Sequence, residues 1–235
     1  MIKQDYINRI MLIMNEAGSI DNSRLEMIGA DATQIDRYIE GSYIDAWRRC
    51  IKVMPRIWFK NKKLVTDTSH LFPNLADGTG YVVLPTDFFF FFKFQMHTWG
   101  KAVYEATVED DHVAAVQNNE YTRGSQLRPV CTISTIETEA GYNNILKYFS
   151  LKKGMSTHSV KEAMYVAVPT DLKDKAPTDD LEISEQVAEP LCYLGASTVF
   201  TLLGKFDIAK ALEARAAEMF PGISILKGTT TITKQ

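Results

Sequence analysis

Four histidines, His70, His97, His112 and His158, are the first residues to weigh for chemistry. None stands four residues from another and none sits in an H-E-x-x-H frame, so no pair is spaced to present two imidazoles to one ion from a helix face. Asp110-Asp111-His112 places three possible ligands in a row. Adjacent side chains leave a helix or strand in different directions, so this triplet converges poorly on one ion and is expected as a solvated acidic turn. Gly78-Thr-Gly80 is too short for a dinucleotide fingerprint and precedes a strand-like run instead of joining a strand to a helix. Neither a phosphate-cradling G-x-x-x-x-G-K-[ST] loop nor a G-x-S-x-G elbow occurs. Asp179-Asp180 falls in a polar run with Pro and Lys, where little would desolvate a carboxylate. Cys50, Cys131 and Cys192 are odd in number and far apart, which fits buried thiols better than a disulfide framework or a metal knuckle. The expectation is no catalytic residue, no cofactor and no metal, hence not an enzyme.

The elements that would carry any site read as α+β. Residues 4–16 suit a short helix with Ile7, Met11 and Met14 on one face, Tyr6 and Ile10 beside them, and Gly18 as its C-cap. After a polar linker over 19–32, Asp31 and Gln34 sketch a capping box. Ile35, Ile39, Tyr43, Trp47 and Ile51 then recur every four residues, with Tyr38, Ala46 and Met54 widening the stripe, until Pro55 stops the helix. From residue 57 the pattern turns to strands between turn signals: Tyr81–Leu84, Phe88–Phe92, Arg128–Ser134, Asn144–Leu151 and Glu162–Val168, with a short helix expected over 107–117. Helix signals return at Ser184, a cap candidate, where Pro190 fits an early turn or a kink. Gly204 interrupts, and Asp207 is expected to cap a last helix that buries Ile208, Leu212 and Ala216 and ends at Pro221-Gly222.

Neither helical segment can cover its apolar stripe alone, so 1–56 and 184–220 are expected to form one helical bundle. Residues 57–183 are then a large β-rich insertion, and 221–235 an extended C-terminal arm. Apolar residues make up 46% of the 235, enough for a proper core, and the net charge of −3 excludes a globally basic nucleic-acid binder. The N-terminus lacks a basic stretch followed by a long apolar run, and no apolar block approaches a membrane span, so neither secretion nor a membrane is expected.

Three features suggest contacts instead. Arg48, Arg49, Lys52, Arg56, Lys60, Lys62 and Lys63 form a run without an acidic residue. It reads either as a solvated face or as a patch facing an acidic partner or passing DNA. Phe88–Phe92 puts rings on both faces of any strand, so Phe88, Phe90 and Phe92 are either covered within the fold or meet another subunit. The arm is either disordered or adds a strand to a neighbour's sheet edge, with Ile223, Ile225 and Leu226 as anchors.

The order of the motifs resembles a known family. Tyr81-Val-Val-Leu-Pro-Thr-Asp-Phe, followed by an aromatic run ending in Trp99, is similar to a segment of phage connector proteins. Asn119-Glu-Tyr-Thr-Arg-Gly124 with Arg128-Pro-Val130, then Leu146–Leu151, Tyr165 and Glu189–Ala196, resembles the continuation of that order in ring proteins of crAss-like, short-tailed phages. The resemblance spans residues 30–220. It implies a structural subunit of a head-to-tail connector ring of about twelve copies, stacked beneath the portal protein and next to other ring or tail proteins. Double-stranded DNA would pass through the channel without sequence-specific binding. The subunit would be assembled in the bacterial cytoplasm and reside in the virion. Leu84, Pro85, Tyr121, Arg123, Gly124 and Pro129 would be structural or interfacial, with Tyr121 and Arg123 the contact candidates. Another tail component, such as a tail-tube subunit, and a host-directed binding module are the alternatives.

Overall fold

The computed structural model describes residues 1–20, 32–65, 71–74, 76–108, 110–138, 141–151 and 159–220. The fold is mixed α+β, and the chain divides into two compact units: Met1–Lys60 with the residues from Pro169 on, and Asn61–Val168.

The first unit holds α1 (Lys3–Ile20), α2 (Ala32–Val53), α4 (Glu185–Leu202) and α5 (Phe206–Glu218). Helix α4 touches each of the other three. It is apolar on nearly all sides, from Val187 to Phe200, which is the composition of a helix with little face left for water. Pro190, its sixth residue, lies inside the helix, where its missing N–H withholds one ladder bond. The stripe on α2 is buried at Ile35, Ile39, Tyr43, Ala46, Trp47 and Ile51, whereas Tyr38 is 40% exposed and stands outside it. Helix α1 buries Tyr6, Ile7, Ile10 and Met14 and continues past Gly18. It meets α4 at Gly195, where an added Cβ would lie 2.5 Å from the Tyr6 hydroxyl and 2.7 Å from Ile10. Ser184 precedes α4, but its hydroxyl makes no capping bond. Asp207 is in the first turn of α5, not at its cap; Lys205 occupies that place, after the turn that Gly204 makes with φ +75°. An acidic residue one turn in still favours the helix dipole.

The segment from Pro169 to Ser184 has little regular structure and is held by hydrogen bonds to α1. The Lys3 amide donates to the Asp179 carbonyl at 3.0 Å, and the Gln4 amide to that of Pro177 at 3.0 Å. Lys3 is buried, and its ammonium donates to the carbonyls of Leu172 at 2.7 Å and Lys175 at 3.0 Å while pairing with Glu40 on α2 at 2.6 Å.

The second unit carries two sheets. One is antiparallel with order β1-β8-β4: β1 Asn61–Lys63, β8 Val160–Ala167 and β4 Phe88–Met96. The other has order β2-β3-β7-β6-β5: β2 Leu71–Asn74, β3 Thr79–Val83, β7 Gly141–Phe149, β6 Cys131–Thr138 and β5 Thr107–Val108, with only β5 parallel to its neighbour. Both sheets feed one core: Phe91, Phe94, Met96, Ala163 and Tyr165 from the first, and Leu71, Val82, Cys131, Leu146 and Tyr148 from the second. Such a shared core is the packing of two sheets face to face. The expected helix over 107–117 is instead β5 followed by α3 (His112–Val116).

Candidate functional site

The sites to place are the contact candidates. The basic run is largely occupied by the chain's own carboxylates. Arg49 pairs with Glu213 at 2.5 Å, Lys60 with Glu182, and Lys62 with Asp87 at 2.6 Å. Arg48 stands 3.9 Å from Asp45, one turn earlier, and is half exposed. Lys52 and Arg56 are exposed. Arg48 to Lys60 belong to the helical unit, while Lys62 and Lys63 begin the β unit.

Two of these pairs are electrostatically tuned. Burial alone would raise the Asp87 carboxyl, but hydrogen bonds from Lys62 and the Tyr165 hydroxyl (2.8 Å), with the Lys62 charge, hold it below its ordinary value. The Tyr165 phenol is pushed up to about 12 by burial and by that same carboxylate. Glu213 is likewise lowered, because Arg49 and the Ser197 hydroxyl (3.0 Å) outweigh its desolvation. A carboxyl depressed in the fold adds stability that is complete above its unfolded pKa and is lost as pH falls through the folded value. Thermal midpoints measured from about pH 6 down to 2 are therefore expected to fall below the ordinary values, 3.8 for Asp87 and 4.5 for Glu213. Asp87→Asn should flatten this decline for the β unit, and an unchanged slope would contradict the assignment.

Phe88–Phe92 opens β4, and its strand alternation is broken. Phe88 pairs with Ala167, Phe90 with Val166, Phe91 with Tyr165 and Lys93 with Met164, so Phe89 and Phe92 are the extra residues of two bulges. The second bulge puts Phe91 and Phe94 on the same inner side although they are three residues apart. Phe88 stacks on Tyr165 at 5.8 Å, and Phe89 meets Phe90 edge-on at 5.1 Å. Phe91 is buried, while Phe88, Phe89, Phe90 and Phe92 are half-buried.

Tyr121 and Arg123 lie in the loop between α3 and β6 and have opposite fates. Tyr121 is 96% exposed. Arg123 is half-buried, with its guanidinium donating to the Asp77 carbonyl. The loop is braced throughout. The Asn119 side chain accepts from the Tyr121 amide at 2.9 Å, and its carbonyl accepts from the Arg123 amide at 2.9 Å. Gln117, 3% exposed, donates to the Val113 carbonyl at 2.9 Å and accepts from the Gly124 amide at 2.7 Å. The Gly100 amide donates to the Gln126 carbonyl at 2.9 Å, and Ser125 and Arg128 exchange two backbone bonds. Gly124 is needed for close approach, because a Cβ there would lie 2.7 Å from the Arg128 carbonyl. Leu127, 75% exposed, is a second displayed side chain that the sequence reading passed over. The one sequence signal for it was its place between the turn formers Gly124-Ser125 and Pro129.

Of the residues first weighed for chemistry, Asp111, Asp179 and Asp180 accept backbone amides. Asp111 caps α3, accepting from the Val113 amide at 2.8 Å, and His112 is an exposed first helical residue. His97 is exposed. Asp179 and Asp180 accept backbone amides of their own turn, from Ala176 at 2.9 Å and Glu182 at 3.0 Å. The three cysteines are buried and unpaired, and burial pushes the thiols of Cys50 and Cys192 up to about 12. Among the described residues no three His, Cys, Asp or Glu side chains are placed to hold a metal ion. Among them, too, no helix is long and apolar enough to cross a membrane. His70, His158, Ile223, Ile225 and Leu226 lie outside the described residues. Compared with known protein families and with curated proteins, the chain matches no family model and no sequence.

Proposed function

We propose that this chain is a non-enzymatic structural subunit of a virus particle: one copy in a ring of the head-to-tail connector of a short-tailed, crAss-like phage. The observation that carries the reading is what the motif residues do. Asn119, Arg123 and Gly124, within a block that bears the resemblance, take part in the hydrogen bonds that brace an exposed loop. A loop stiffened for display suits an assembly protein, whose contacts must exist before its partner arrives. The layout agrees. A helical unit drawn from residues before and after a β-rich unit is the layout that reading expects, a helical bundle with a β-rich insertion. The ring would hold about twelve copies, contact the portal and the next ring or tail protein, and let double-stranded DNA pass without sequence-specific grip; a mildly acidic chain suits such a conduit.

The test is sedimentation of the purified protein with and without assembled portal particles. About one copy bound per portal subunit supports a ring seated on the portal. A stable small oligomer that ignores every tail protein would sink the reading. The same assay weighs the basic helix face. Arg48→Gln/Lys52→Gln, which removes the charges without reversing them, should lower the melting temperature little and weaken co-sedimentation about threefold, more so at low salt. Arg49 is unsuitable for this test, since neutralising it would take the partner from Glu213.

A further inference from the structure

We propose that the groove between α2, α4 and α5 is the seat of this chain's own C-terminal segment, with Ile223, Ile225 and Leu226 packed into it within one copy. The contact forms in the isolated subunit, so it goes beyond the connector reading and does not rest on it.

The groove lies wholly in the helical unit and encloses about 430 Å³. Lys210, Glu213, Ala214 and Ala217 share one face of α5, at i, i+3, i+4 and i+7. Ala214 and Ala217 are exposed and carry only a methyl group, so α5 itself puts little into the space that faces Val53 of α2 and Leu194 of α4. Val53 is left 37% exposed there. The margin is polar. Arg49 pairs with Glu213 at 2.5 Å, but a guanidinium has five donors and an ammonium three, so Arg49 and Lys210 can still donate to the carbonyls of an extended segment.

What selects the occupant is where the chain leaves the helices. Phe220, the last described residue, is itself part of the lining. Ile223 follows three positions later and Leu226 six, distances an extended chain spans in at most about 10 Å and about 20 Å. Pro221-Gly222, between them and Phe220, is a pair that favours a turn, and a turn there sends the chain back along α5 over Ala217 and Ala214. Of the thirteen residues after Gly222 four are apolar, and three of them cluster at this near end, where the reach is shortest. A tether this short holds them at an effective concentration of the order of millimolar, which no side chain of a separate molecule matches in dilute solution. Docking removes two apolar surfaces from water at once, the lining and the segment's own.

The test uses the full chain, read by hydrogen exchange with mass spectrometry. Amides of residues 223–226 are expected to exchange at least ~10-fold more slowly than in a free peptide of the same sequence, equally at low and at high protein concentration. Ala214→Arg and Ala217→Arg, both at exposed positions, each push a long charged side chain into the groove. Each should abolish that protection while the amides of α4 keep theirs. Should one of them disturb α4, the other decides. Ile223→Ser/Ile225→Ser/Leu226→Ser leaves every helix unaltered and uncovers the groove, so it should raise the fluorescence of the apolar dye ANS at least ~3-fold. A segment that does not dock gives the opposite sign, because the triple variant then only removes exposed apolar side chains. Segment amides that exchange freely in the wild type, or that stay protected when the groove is filled, overturn the proposal. So does protection that grows with concentration, since the groove then holds the segment of a second copy. Unchanged or lower ANS fluorescence in the triple variant overturns it as well.

Discussion

Phe94→Ala is expected to destabilise the β unit by about 3–5 kcal/mol, the range for deleting a fully buried aromatic ring. Phe94 is 0% exposed. Its ring stacks on Tyr148 at 5.3 Å with 25° between planes and meets Trp99 edge-on at 5.6 Å. It thus joins a strand of the β1-β8-β4 sheet to β7 of the other sheet, and its loss opens a cavity between them. Its backbone also exchanges two bonds with Val103, 2.9 Å each, which fixes the strand and limits how far the site can collapse. Limited collapse puts a truncation toward the upper end of the range. Phe88→Ala is the control, because Phe88 is half-buried at the margin of the core, with its ring stacked on Tyr165 at 5.8 Å. It should cost about 1 kcal/mol. Hydrogen exchange read by mass spectrometry localises the effect. Amides of β3, β4, β7 and β8 should lose protection in Phe94→Ala while those of α4 keep it. Equal losses for the two variants would mean that the five-phenylalanine run, and not Phe94, ties the sheets.

That contrast shows where the sequence was legible. Helix α2 could be read because one signal, apolar residues every fourth position from Ile35 to Ile51, coincides with the face that is buried. Helix α4 could be read because its apolar content from Val187 to Phe200 leaves it no stable place but a core. The longer strands were legible in position, since β-branched and aromatic residues mark β3, β4, β6, β7 and β8, whereas β1, β2 and β5, of two to four residues, carry too few such residues to show. Their facing was not. Two bulges in the first five residues of β4 break the two-residue period, so the run that draws the eye contributes one buried ring, Phe91, and the deeper anchor, Phe94, follows it. Tyr38 misled for a related reason: it sits beside the stripe of α2 in a helical projection, and a position at the edge of a face is decided by what packs there. The contact candidates were visible as residue types only. That Arg49, Lys60 and Lys62 are taken by Glu213, Glu182 and Asp87 depends on pairings 164, 122 and 25 residues apart, beyond any local pattern. Likewise, nothing near Arg123 announces the Asp77 carbonyl that separates its role from that of Tyr121, two residues before it.

Lys3→Met is expected to destabilise the helical unit by about 2–4 kcal/mol. The side chain has nearly the same length, so its apolar stem is kept and the measurement isolates the ammonium. That ammonium lies at 9% side-chain exposure and serves three acceptors: the carbonyls of Leu172 and Lys175 and the Glu40 carboxylate. Hydrogen bonds from a charged donor contribute about 1.5–3 kcal/mol when lost, because their acceptors are left without water to replace it. Glu40 is 23% exposed and so recovers part of its solvation, which keeps the total well below the sum of three bonds. The site matters because the segment from Pro169 to Ser184 has one short turn, Leu172–Asp174, and otherwise depends on α1 to hold it. Lys3 connects that segment to α2, with which the same short turn is in contact. Glu40→Gln should cost less than Lys3→Met, since the ammonium keeps both carbonyls and an amide oxygen still accepts. Urea denaturation of the two single variants and the double variant gives the coupling between them. A double variant that loses less than the sum of the two singles, with Lys3→Met at about 2 kcal/mol or more, is the expected result. A loss below ~1 kcal/mol, the level of an exposed ion pair, would mean that the segment is held by its backbone bonds to α1 and that Lys3 merely covers it.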